Sequence, residues 1–462
     1  MLYFFENPDD GSKEFMPLRT LQESLHMALR TMPIILGRLR RSRDTGFLEV
    51  AVDGDDLNMP VVREFACDAT FGEARAAGFS QRLLPRGAAA GPAMVTERAL
   101  RRVRLAVFHI IRFAANSGVA IVIRLAHVLV DVAGYMSLLS RWAAACRQLV
   151  RGVPVPPELS AEASHDRSRA HRCLLAAAGH APPVPPQPET VLGSAGAESG
   201  RVSRWFARRS LGTQGRISLL PSNVIIGGVA GGCYFVARSR LDGLRPLIQR
   251  HLPEKHRVSD NDMLMAFTSM VLAQSANGSC HCYSRGSRLR KQRPFLITMT
   301  ADLRPRCDAL ARMDYCGNAT LPLIFHVPRS MVHAPIAPET LAPVCRAIRG
   351  ATDGITPARI AAFVDAVQNE RDFTARQVLY GPRYPHAAIS TSHARMPYYQ
   401  VDFGWGAPAW VAPFENPSPG VVMFLPARPP LDGYQVHISA PAAVLRRVAE
   451  NESWAGVAQR IY

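Results

Sequence analysis

Leu18, Leu21, Leu25 and Leu29 recur at helical spacing behind a short apolar opening segment, which predicts a strand followed by an amphipathic helix. Two apolar stretches with β-branched residues come next, Arg104 to Phe113 and Val119 to Ala126. Asn116-Ser117-Gly118 separates them and predicts a hairpin or two adjacent strands. The second stretch runs into His127. Beyond Gly134 the period changes: Leu139, Trp142, Ala143, Cys146 and Leu149 share one helical face, and Gly152 with Pro154 behind it predicts the helix end. Further along, Tyr234 to Ala237, Pro294 to Met299, Gly420 to Leu425 and Gly433 to Ile438 read as strands. Ser259 is placed to cap a helix carrying Met263, Phe267, Met270 and Val271, and a last helix is expected from about Pro441. Strands and helices mix in both halves, so the class is α/β or α+β.

Composition sharpens the division of the chain. Pro182-Pro183-Val184-Pro185-Pro186, followed by Gly193, Ser194, Gly196, Ser199 and Gly200, has the make-up of a linker. It predicts an N-terminal domain over 1–173, a linker over 174–203 and a larger domain over 204–462. A length of 462 residues agrees with roughly two domains, and 48% apolar residues suffice for real cores.

The net charge of +17 favours anionic partners, yet the basic residues are scattered along the chain. The densest run is Arg285, Arg288, Arg290, Lys291 and Arg293. It reads either as a solvated loop or as a contact for an anionic cofactor. Aromatic interleaving and zinc spacing are missing, which argues against nucleic acid. The nine cysteines show no disulfide framework, so a reducing compartment, the cytoplasm by default, is expected. Cys280-His281-Cys282 has no second ligand pair beside it and predicts no metal site. The acidic start after Met1-Leu2-Tyr3-Phe4-Phe5 is not a signal peptide, and no apolar run is long enough to span a membrane. Gly227-Gly228 and Gly231-Gly232 lack the Lys-Ser/Thr of a phosphate loop. His109, on an apolar strand, reads as a core histidine, and Cys316 has no basic partner that would make it a nucleophile.

His127 and Asp131 are the strongest candidates for chemistry. A histidine buried at a strand end can be held neutral, and a neutral imidazole is the usual general base. On the spacing alone a structural histidine is the better reading. The context is supplied by Asp402-Phe403-Gly404-Trp405-Gly406 far downstream. The two motifs together, in this order, resemble the signature pair of the BAHD acyltransferases. These are coenzyme A-dependent enzymes of plants and fungi, and fungal trichothecene acetyltransferase-like enzymes are among them. The likeness extends over Leu21-Gln22-Glu23-Ser24-Leu25, Gly37-Arg38-Leu39, Trp142, Pro156-Pro157, Asp166-Arg167-Ser168, Asp302-Leu303-Arg304-Pro305-Arg306, Tyr315-Cys316-Gly317-Asn318, and Ser392, Arg395 and Pro397 ahead of the second motif.

The resemblance implies two chloramphenicol-acetyltransferase-like domains, each a mixed sheet covered by helices, with a channel between them. It implies His127 as general base and Asp131 turned away from substrate onto an arginine, for which Arg304 is the candidate. Thr391 and His393 would be donors to the oxyanion, His393 standing where the family commonly has Trp. Asp402, Phe403, Gly404, Trp405 and Gly406 would be structural. Asn318, Arg288 and Arg290 are expected on the cofactor side. No cofactor is expected to be bound permanently; an acyl-CoA, acetyl-CoA in the simplest case, would be co-substrate to a small hydroxylated or amino acceptor, and the protein a monomer. Three departures stand out. Val132 replaces the usual Gly after Asp131, which predicts a distorted turn; the family's first strand is not recognised at the N-terminus; and the linker is long. Two alternatives are a condensation-domain-like acyltransferase, disfavoured by Ala126 where a second His is usual, and an inactive relative that binds a ligand or partner.

Overall fold

The computed structural model describes residues 1–9, 14–42, 48–88, 103–179, 229–276, 294–368, 387–415 and 419–462. Most of the expected linker, from residue 180 onward, lies outside these residues, as do Cys280-His281-Cys282 and the basic run with Arg288 and Arg290. The strands are β1 (Leu2–Glu6), β2 (Arg38–Arg41), β3 (Leu48–Ala51), β4 (Val61–Cys67), β5 (Ala106–Phe113), β6 (Gly118–Leu125) and β7 (Val229–Ala237). They continue with β8 (Phe295–Asp302), β9 (Thr320–Val327), β10 (Ala387–Ser392), β11 (Trp410–Ala412), β12 (Val421–Pro426), β13 (Gly433–Pro441) and β14 (Ala458–Arg460). In the first half the helices are α1 (Leu18–Arg30), α2 (Phe71–Ala76), α3 (Val132–Arg151), α4 (Pro157–Ser160) and α5 (Arg167–Ala178).

The chain forms two compact units, and one cut does not separate them. The first is Met1–Ala170 together with Arg304–Ala319 and Met396–Phe414; the second is the remainder. The first unit is built on a five-stranded mixed sheet, β11-β1-β6-β5-β4. Only the β4–β5 pair is parallel. Alternation along β1 buries side chains on both sheet faces. Leu2 and Phe4 join Phe71, Phe79, Ile111, Phe113 and Val122 in one core layer. Tyr3 and Phe5 point the other way, Phe5 onto Phe403 and Tyr3 onto Tyr398. On that second face α3 lies against the sheet, with Trp142 edge-on to Phe108. The Trp142 indole N–H donates to the Leu21 carbonyl and the Ser24 hydroxyl, tying α3 to α1.

The second unit holds a seven-stranded mixed sheet, β14-β7-β13-β12-β10-β8-β9. Its central helix, Asp260–Ala276, is apolar almost all round and correspondingly buried. As the sequence suggested, Ser259 caps that helix: its hydroxyl accepts from the Asp262 amide at 3.2 Å, and the Asp262 carboxylate accepts from the Ser259 amide at 2.9 Å. Arg349 closes the arrangement by donating to both side chains. Among the described residues no helix is long and apolar enough to cross a membrane.

Candidate active site

Strand β6 ends at Leu125, and the segment from Ala126 to Val130 must turn the chain into α3. Its apolar anchors are Leu129 and Val130, which pack with Leu39 and Leu105. Between strand and anchors, His127 and Val128 are lifted out and exposed. The expectation of a histidine buried at the strand end is therefore corrected: the ring stands on a turn beyond the strand, open to solvent. The backbone beneath it is well tied. The Ala126 amide donates to the Leu105 carbonyl at 2.8 Å, and the Leu129 amide to the Ala126 carbonyl at 2.9 Å.

Asp131 is the N-cap of α3, accepting from the Ala133 and Gly134 amides at 3.1 and 3.2 Å. The helix thus begins at Val132, ahead of the expected start after Gly134. Val132 takes the first helical position with both capping bonds formed, so the distortion expected from it does not occur. The other carboxylate oxygen accepts from the Ala319 amide at 2.8 Å and from Arg304 Nη1 at 2.9 Å, while Arg304 Nη2 reaches the first oxygen at 3.2 Å. Arg304 also donates to the carbonyls of Tyr315 and Gly317. Asp131 is buried and the acceptor positions of its carboxylate are taken up. It has no capacity left for a proton relay; it locks the turn that carries His127 onto the 315–319 loop. That loop comes so close to the helix that a Cβ on Gly134 would lie 1.9 Å from the Cys316 carbonyl oxygen.

Two further donors act on the turn. Asn318 Nδ2 donates to the His127 carbonyl at 2.8 Å, and Arg167 Nη2 to the Val128 carbonyl at 2.8 Å. Sequence reasoning had set Asn318 on the cofactor side and had given Arg167 no role. The Ala319 amide could not have been found at all, since a backbone donor leaves no mark in residue type. Cys316 is buried against Ser137, and burial pushes its thiol up, which suits a packing role rather than a nucleophile. His109 is buried with its Nδ1 2.7 Å from the Ala88 carbonyl oxygen, as a core histidine should be. Close to the site, His165 is pushed down to about 4 by burial, against a smaller opposing effect from the Ala163 backbone.

Thr391 and His393 close β10 in the second unit. Thr391 Oγ1 lies 3.5 Å from His393 Nε2, and the His393 amide donates to the Phe424 carbonyl at 2.8 Å. The structure brings these two side chains together at a strand end, where hydroxyl and ring are partly exposed. Among the described residues there is no group of three or more His, Cys, Asp or Glu that could hold a metal ion.

The second motif buttresses α3. The Asp402 carboxylate accepts from the amides of Gly404 and Gly406 at 2.7 and 2.8 Å, and both glycines have φ above +100°, which favours glycine there. Phe403 is fully buried, 4.9 Å from the Trp142 ring. Arg147 donates to the Asp402 carbonyl, and Gly404 faces Val150. These contacts fall on the second half of α3, a helix of 20 residues capped at its other end by Asp131. At 1.5 Å per residue the helix is about 30 Å long. Asp402 and Gly404 thus sit against the helix end remote from His127, and Phe403 against the middle of the helix. Trp405 packs edge-on to Phe15, 6.4 Å away.

Solved structures define the class of fold. F. graminearum TRI101 complexed with coenzyme A and T-2 mycotoxin is similar over 100% of this chain and 95% of that chain, with a TM-score of 0.73 at 15% identity. Vinorine synthase is similar over 100% and 90%, with a TM-score of 0.60 at 16% identity. Such identities establish a shared two-domain α/β fold. By sequence, residues 279–454 match the Transferase family. The chain is 26% identical over 189 residues to acetyl-CoA-benzylalcohol acetyltransferase of Clarkia breweri; the match spans 40% of this chain and 40% of that protein. The matched stretch carries Arg304, Asn318, Thr391, His393 and Asp402–Gly406, and the match agrees with the resemblance to the BAHD acyltransferases.

Proposed function

We propose that this protein transfers an acyl group, acetyl in the simplest case, from a coenzyme A thioester to a hydroxyl or amine of a small metabolite. The observation that carries the reading is the catalytic turn itself: an exposed imidazole on backbone held from several sides, with its Asp131 committed to Arg304 and to amides. The acetyltransferase activity in the name of the Clarkia breweri relative supports the donor. The coenzyme A, T-2 mycotoxin and deoxynivalenol of the TRI101 complexes support a thioester donor and a small-molecule acceptor.

In this reaction His127 takes the proton from the acceptor as its oxygen or nitrogen attacks the thioester carbonyl. The tetrahedral oxyanion needs hydrogen-bond donors, and the Thr391 hydroxyl and the His393 ring are those the family resemblance offers. Collapse breaks the C–S bond, and the proton held by His127 passes to the leaving thiolate. Neither a metal nor a covalent enzyme intermediate takes part. Arg288 and Arg290 stand as candidates for the thioester side. Consumption of acetyl-CoA against a panel of alcohols and amines tests the proposal. His127→Ala is expected to lower kcat by about 10²–10⁴-fold, the usual contribution of a general base. Equal rates for the variant and the unaltered protein would remove His127 from the mechanism.

A further inference from the structure

A general base must be aimed, and in Ser-His-Asp sites a carboxylate on the ring nitrogen does the aiming. Among the described residues that device is missing here. Asp131 is occupied by Arg304 and by the amides of Ala133, Gly134 and Ala319, and among the described residues no group hydrogen-bonds the His127 ring. What the described residues do hold is the backbone that carries the ring. Two side chains act there, on consecutive carbonyls: Asn318 on His127 and Arg167 on Val128.

Both donors rest on fixed supports. Asn318 lies between Gly317, whose carbonyl accepts from Arg304, and Ala319, whose amide donates to Asp131. The Cys316 amide is held by the Ser164 carbonyl at 2.8 Å. Arg167 opens α5 directly after Asp166, which accepts from the Arg169 amide at 2.8 Å. Both donors are exposed, so neither is needed to fill a core. Their bonds converge on the peptide that carries the imidazole.

We propose that Asn318 and Arg167 are positioning residues for His127, holding the carbonyls of His127 and Val128 so that the imidazole stays in reach of the proton it transfers. This rests on the reading of His127 as the base. Neither residue touches the reacting atoms, and a misplacement of about 1 Å costs on the order of 10²-fold in rate. The side-chain chemistry gives an order for the variants. Asn318→Ser keeps a shorter donor, Asn318→Ala has none, and Asn318→Asp sets a carboxylate against a carbonyl oxygen.

The test measures kcat and KM on the full chain with acetyl-CoA and an alcohol that the unaltered protein acetylates. Asn318→Ala is expected to lower kcat by about 10–100-fold with the KM for acetyl-CoA unchanged. Asn318→Ser should recover part of the loss and Asn318→Asp should fall below Asn318→Ala. Arg167→Lys should retain more activity than Arg167→Met. A raised KM for acetyl-CoA at constant kcat would give Asn318 to the thioester and overturn the proposal, and so would kcat values unmoved in both series. A second readout does not depend on turnover. In protein labelled with ¹³C-histidine, the His127 ring signal, assigned by its loss in His127→Ala, should be single and sharp. It should split or broaden in Asn318→Asp and Arg167→Met. An unchanged signal in both variants refutes the positioning role, whereas an active His127→Ala refutes only the base.

Discussion

Gly134 shows how narrowly the site is fitted at the level of single residues. The 315–319 loop reaches Asp131 only because the first turn of α3 presents no side chain to it, and a Cβ there would meet the Cys316 carbonyl oxygen at 1.9 Å. Gly134→Ala must push helix and loop apart, stretching the bond from the Ala319 amide to Asp131. Overpacking of this kind costs about 1–3 kcal/mol. Urea denaturation should register that loss, and an unchanged midpoint would mean the contact is looser than described. The pairing of Asp131 with Arg304 was legible through the family resemblance, since the spacing of His127 and Asp131 alone does not single them out. The loads on Asn318 and Arg167 were hidden, since both bonds end on backbone carbonyls. The exposure of His127 was misjudged for a related reason: the apolar run before it suggested burial, while the buried anchors of the turn are Leu129 and Val130.

At the scale of elements, α3 joins the two motifs. Asp131 caps its start, Phe403 packs on its middle at Trp142, and Gly404 and Asp402 meet its far turns. Phe403→Ala removes a fully buried ring from between Phe5 and Trp142, a change that costs about 3–5 kcal/mol. The predicted result is a strong fall in stability with kcat per folded molecule nearly constant, measured by denaturation and by active-site-normalised rates. A selective loss of kcat in a stable variant would bring the motif into the chemistry. The strands flanking the turn and α3 itself were readable because their periods are clean. Strand β10 was not, although Thr391 lies on it. Its residues, Ala387 to Ser392, are mostly small or polar, and what makes them a strand is parallel pairing with β8 and β12, far away in sequence. The helix Pro338–Asp353 was hidden by Pro343 within its span, since a proline inside a helical pattern reads as a break.

For the molecule as a whole, the division into units escaped the sequence because Arg304–Ala319 and Met396–Phe414 leave their neighbours in the chain to complete the first unit. Long-range packing of this sort has no local signature. The same packing sets the response to acid. In the second unit, His437 is buried beside Gln435, Cys233 and Tyr462, and burial pushes its imidazole down to about 3. In the first unit, His165 is pushed down to about 4, chiefly by burial. Unfolded, each would titrate near 6.5. Between these limits the unfolded chain binds protons that the native state refuses, so stability rises with pH there. The contribution is complete above about pH 6.5 and is lost as the pH falls toward 4 and then 3, by up to about 1.4 kcal/mol per pH unit for each group. Urea midpoints taken at pH 7.5 and pH 5 should therefore differ more for the unaltered protein than for His437→Gln, whose side chain binds no proton in either state. If both lose stability equally, His437 is not among the groups that set the acid limb.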